Sequence, residues 1–106
     1  MSQDRYQYLE ELDREIRERA RTMTIYEFFE AIMIGEISRN DLIMLQHYRN
    51  MRKYKTIVEE SRKRLNRAIE THKSNIEVQA RRQLEEAQRM LVVNRNRLDE
   101  LSKKNV

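Results

Sequence analysis

The stretch THKSNIE, residues 71–77, lies between two long charged arms, and its reading decides whether the chain is a hairpin or a single rod. Downstream, Ala80, Leu84, Ala87, Leu91, Asn94, Leu98 and Leu101 recur at alternating steps of four and three, a heptad seam interrupted only by the asparagine. Upstream, Met44, Tyr48, Met51, Tyr54, Val58, Leu65 and Ile69 form a looser stripe. A reversal near residue 74 sets Leu65 beside Leu84, Val58 beside Leu91 and Met51 beside Leu98, so one turn position serves all three pairs. Ser74 and Glu77 have capping-box spacing, in which a hydroxyl accepts from the third amide and an acid three residues on reaches back. The competing reading runs straight through 65, 69, 72, 76, 80, 84 and 87, a heptad with extra steps of four that a continuous coiled-coil helix absorbs as a stutter. Neither glycine nor proline occurs in residues 72–75 to force a break. The capping box and the similar arm lengths favour an antiparallel hairpin, with helices over about 39–72 and 75–103.

Toward the N-terminus the punctuation is again local. Thr24 with Glu27 reads as a capping box, and Ser38 with Asp41 as a weaker variant of one. The sole glycine, Gly35, stands where a left-handed helix C-cap is expected, with Ile37 beyond it to close the turn. Two further helices follow, over about 3–22 and 25–34. Tyr6, Leu9, Leu12 and Ile16 give the first a clean apolar stripe. The second carries Ile25, Phe28, Phe29, Ile32 and Met33 and is too short to be stable alone. Leu42, Ile43, Met44 and Leu45 point in all directions from the start of the third helix, so the first two helices are expected to wrap that end. The fold class is all-α: one domain over 1–106, with an acidic helix pair at 1–37 and a basic hairpin at 38–106.

Composition agrees with helices nearly end to end. Charged residues make up 38% and the apolar set 39%, with one glycine and no proline, which suits neither a sheet protein nor a disordered chain. No cysteine is present, so disulfides, thiol nucleophiles and cysteine metal sites are excluded. The longest mostly apolar run, IYEFFEAIMI, contains two glutamates and is too short to cross a bilayer, and the acidic, polar N-terminus does not read as a secretory signal. A cytoplasmic protein is expected, in the style of compact phage or mobile-element accessory proteins, an analogy of style alone. The net charge of +4 hides an asymmetry: residues 1–37 hold five basic and nine acidic residues, whereas residues 38–74 hold ten and four. The two parts can attract each other, or the basic part can attract something else.

No catalytic constellation is visible, whether a glycine-rich phosphate loop, a metalloprotease histidine pair or a di-iron Glu-x-x-His motif. His47 and His72 lie on one helix about 38 Å apart and cannot share a metal. Neighbouring acids such as Glu59 and Glu60 point about 100° apart and read as solvated faces. Neither an enzyme, a cofactor, a metal nor a small-molecule substrate is expected.

Two binding surfaces remain. QHYRNMRKYK, residues 46–55, mixes basic and aromatic residues in the manner of a nucleic-acid grip. On a helix, Tyr48, Met51 and Tyr54 turn inward, while Arg49, Arg52 and Lys53 turn outward in line with Lys63, Arg64 and Arg67. That basic face spans about 27 Å and could follow a phosphate backbone, or simply stay wet. The second surface is the helix 4 face made by Ala80, Leu84, Ala87, Met90, Leu91, Val92, Val93, Asn94, Leu98 and Leu101, which is wide for a two-helix hairpin. Such a face points to a homo-oligomer or to docking on a protein partner, as adaptor, scaffold or inhibitor; an oligomeric nucleic-acid binder is the alternative. Asn94 within it either sets register or sits partly wet at the seam edge.

Overall fold

The computed structural model describes the backbone of residues 2–104 and the side chains of residues 5–103. It contains four helices in chain order: α1 (Ser2–Thr22), α2 (Ile25–Met33), α3 (Arg39–Glu70) and α4 (Ser74–Lys104). There is no strand among the described residues. Helices α3 and α4, 32 and 31 residues long, pack against each other along their length as a hairpin, so the chain reverses rather than continuing as one coiled-coil helix. The molecule measures 58 × 31 × 19 Å, and its radius of gyration of 18.1 Å exceeds the roughly 13 Å of a compact chain this long.

The reversal is tighter than the sequence suggests. Helix α3 ends at Glu70, and His72 takes a left-handed conformation at φ 56. The Lys73 amide donates to the Ala68 carbonyl (3.0 Å) and the His72 amide to that of Ile69 (3.3 Å), the two bonds of a Schellman ending. Lys73 at once opens the next helix, its carbonyl accepting from the Glu77 amide at 3.0 Å. Ser74 is therefore inside α4 and forms no capping box; Glu77 instead accepts from Arg81 at 3.1 Å. The register moves with the turn. Asn50 bonds to Asn94, which centres the hairpin on His72, whereas pairing Met51 with Leu98 would centre it between Ser74 and Asn75. At this contact the partner lies five residues, about 7.5 Å of helix, from the one the Met51–Leu98 pairing would give, and at Arg64–Gln83 the offset is two residues.

A left-handed histidine is costly, because its Cβ approaches the following carbonyl; the penalty is about 1–2 kcal/mol. His72→Gly should raise stability by about 1 kcal/mol, read as a thermal midpoint higher by about 4–8 °C. An unchanged or lower midpoint would refute the strained-turn account.

The N-terminal punctuation is as expected at two of three sites. Thr24 accepts from the Glu27 amide (3.2 Å) and Glu27 reaches back to the Thr24 amide (3.4 Å), a full capping box. Gly35 ends α2 at φ 87, and buried Ile37 closes the turn by donating its amide to the Ala31 carbonyl (3.2 Å). Ser38 accepts from the Asp41 amide (3.3 Å), but the Asp41 carboxylate instead accepts from the Tyr8 hydroxyl (2.9 Å).

The core is uneven along the hairpin. At the end near α1, Leu9 and Ile16 pack with Met44, Leu45, Tyr48 and Leu98, with Tyr6, Leu12 and Phe28 half-buried around them. Farther along, the buried seam is made of small residues, Ser61 and Ala68 on α3 and Ala80 and Ala87 on α4, beside Val58. Small side chains let two helices approach closely where no third element exists to cover larger ones. Helix α1 thus wraps α3 as expected. Helix α2 does not: Phe28 and Ala31 face inward, but Ile25, Phe29 and Met33 are exposed.

Candidate protein interface

The basic-aromatic stretch of α3 is a joint that holds the molecule together. Tyr48 is buried, stacks on Tyr6 at a centroid distance of 5.8 Å and donates its hydroxyl to Glu10 at 2.7 Å. Burial first, then the bond to Glu10, pushes its pKa up to about 12. The helical projection places Arg49 on the free outer face. Its guanidinium instead reaches α1, donating through Nε at 2.8 Å and through a second nitrogen to the buried carboxylate of Asp13. His47 Nδ1 and Asn50 meet the Asn94 carbonyl oxygen at 2.9 and 3.3 Å. Arg52 lies over the Tyr48 ring at 5.9 Å and Lys53 over the Tyr54 ring at 5.4 Å, so the stacking partners that a base would use are already engaged by cations.

The rest of the basic face divides. Arg64 reaches across the hairpin to Gln83 (3.0 Å) and Gln79 (3.4 Å) instead of pointing outward. Lys63 and Arg67 are exposed and have no ion pair among the described residues, as is also true of Arg52 and Lys53. A contiguous cationic track of six is thus reduced to four, separated along α3.

The α4 face is similarly consumed from within. Ala80, Ala87, Asn94 and Leu98 are buried, and Leu84, Met90, Leu91 and Leu101 are half-buried against the hairpin. Val92 and Val93 are exposed, at 41% and 46%. Asn94 is 3% exposed, and its amide nitrogen donates to the Met90 carbonyl at 2.8 Å, which leaves its oxygen to accept from His47 and Asn50. A buried asparagine fixed on both sides of a seam penalises any slipped alignment, the behaviour of a register-setting residue.

The largest uncovered apolar surface is one the sequence reading assigns to the core. Ile25 is 72% exposed, Tyr26 85%, Phe29 59% and Met33 79%. On a helix these four fall within about 100° of arc, so they form one face. Alongside it runs a groove of about 510 Å³ between α1 and α2, walled by Ile16, Ala20, Met23, Ile25, Phe28 and Phe29. The only charges of α2 are acidic, Glu27 and Glu30, while the charged residues lining the groove are Arg17 and Arg49.

No group of three or more metal-ligating side chains occurs among the described residues, and none of the described helices is long and apolar enough to cross a membrane. The class defined by this architecture is a helical hairpin clasped by one helix and carrying a second, largely uncovered amphipathic helix. Compared with protein-family models, with curated proteins and with solved structures, the chain matches none.

Proposed function

We propose that the protein is a non-enzymatic interaction module whose contact surface is the exposed face of α2. The observation that carries this reading is the exposure of Ile25, Tyr26, Phe29 and Met33 on a helix that its own hairpin leaves largely uncovered. An exposed apolar face of this size on a small protein is the usual mark of a surface that meets another protein. It has the form of a helix with anchors at successive turns, the arrangement read by a helical groove or a facing helix. The role is that of an adaptor, scaffold or inhibitor, with a second copy or another protein as the partner. The test is affinity purification from the host cell. Whatever protein is retained by the wild type should be lost from Phe29→Asp and kept by Val93→Asp. Equal recovery by Phe29→Asp would refute the α2 surface.

A second reading, nucleic-acid binding along α3, draws support from Arg52, Lys53, Lys63 and Arg67, exposed and without ion pairs among the described residues. It predicts affinity for DNA or RNA that falls steeply between two salt concentrations and drops further in a Lys63→Glu/Arg67→Glu variant. No binding at low salt removes it.

A further inference from the structure

We infer that the partner of α2 is α2 of a second copy, each lying in the α1/α2 groove of the other in a two-fold dimer. This rests on the interaction reading above and names its partner. The groove sets the chemistry of the occupant: its walls are apolar, and its charged lining residues are Arg17 and Arg49. Asp13 already pairs Arg49 and the Nε of Arg17, so the charge left at the groove is the outer end of Arg17, and it favours an apolar occupant with an acid placed there. Helix α2 has that character, with four exposed apolar side chains, two glutamates and no basic residue between Ile25 and Met33. The exposed pair Val92 and Val93 on α4 is smaller and lies beside Arg89 and Arg95, with Arg97 paired to Glu100, so it offers no acidic apolar helix to the groove.

The surfaces also match in extent and in symmetry. The exposed parts of Ile25, Tyr26, Phe29 and Met33 amount to roughly 600 Å² per copy, the larger part of the about 800 Å² per partner of a standard interface, and Arg17, Ala20 and Met23 add to it from the groove. Ile25 and Phe29 belong both to the exposed face and to the groove wall. Ligand and site are thus one continuous patch, as a two-fold contact requires, since the same surface must serve both copies. The acid nearest in role is Glu30, because Glu27 already serves the Thr24 cap. Arg17 is 66% exposed and spends only its Nε on Asp13, at 3.3 Å, leaving its outer nitrogens for a carboxylate across the dimer.

Sedimentation of the full chain up to about 0.5 mM tests this. The wild type should be a dimer, Phe29→Asp a monomer of unchanged helicity, and Val93→Asp a dimer like the wild type. Arg17→Glu and Glu30→Arg should each weaken self-association by about tenfold or more. Mixed in equal amounts, these two should form a heterodimer, because each mixed contact then pairs opposite charges. A wild-type monomer overturns the dimer. If Phe29→Asp still loses a protein partner in the affinity experiment, the interaction reading survives that result. A dimer indifferent to Phe29→Asp, or a charge-swapped mixture that stays monomeric, overturns the α2 pairing and leaves self-association to another face.

Discussion

Leu98→Ala is expected to remove about 3 kcal/mol of folding stability, a large part of the total for a chain of this size. Leu98 is fully buried and belongs to the one cluster in which α1, α3 and α4 meet, with Leu9, Ile16, Met44, Leu45 and Tyr48. Truncation loses the transfer free energy of its side chain and leaves a cavity that three helices cannot close together without moving. Chemical denaturation at fixed protein concentration should show a lower midpoint with an unchanged slope. Leu84→Ala, at a half-buried position where only two helices meet, should cost distinctly less. Equal losses at the two positions would show that the core is not concentrated at the α1 end.

The second large effect lies in the Asp13–Arg49 pair. Asp13→Asn is expected to cost about 2 kcal/mol, less than the loss of a fully buried pair because Arg49 remains 43% exposed. Burial alone would raise the pKa of Asp13. The hydrogen bonds and charge of Arg49, with Arg17, outweigh burial and hold it below its ordinary 3.8. A carboxylate whose pKa is lower in the folded state stabilises the fold above its unfolded value. That contribution fades as the pH falls through the folded value. The stability gap between wild type and Asp13→Asn should therefore be constant near neutrality and narrow as the pH is taken below 3.8. A gap that widens with acid would contradict the assignment.

How much of this was legible in the sequence depends on distance along the chain. The Thr24 capping box and the Gly35 ending are set by residues three or four apart, and both form as read. The α1 stripe also holds, because its period needs only one neighbour to pack against. The hairpin itself was legible, but not its register. Heptad spacing repeats, so Leu65, Val58 and Met51 find acceptable partners at several offsets. The offset was settled by a non-glycine residue, His72, in a conformation that composition does not advertise.

The site was less legible for a different reason. Arg49 looks free on a helical projection because the projection contains only α3. Asp13 lies 36 residues away, and only the path of α1 brings it there. Helix α2 reads as core for the same reason: its apolar face is strong, and nothing local says that the space over Met44, Leu45 and Leu98 is already filled by Leu9 and Ile16. Exposure is a property of the whole fold. The seam of α4, in contrast, reads as packing on α3 and does so, leaving Val92 and Val93 beside it as the exposed part of the wider face.

In the proposed interaction α2, and not α4, meets another protein surface. Site-specific photo-cross-linking tests it directly, with a benzophenone side chain placed at Tyr26 in one variant and at Val93 in another, each irradiated in the host cell. The predicted result is a discrete cross-linked protein from position 26 and none from position 93. Cross-links from position 93 alone, or from neither, would contradict it.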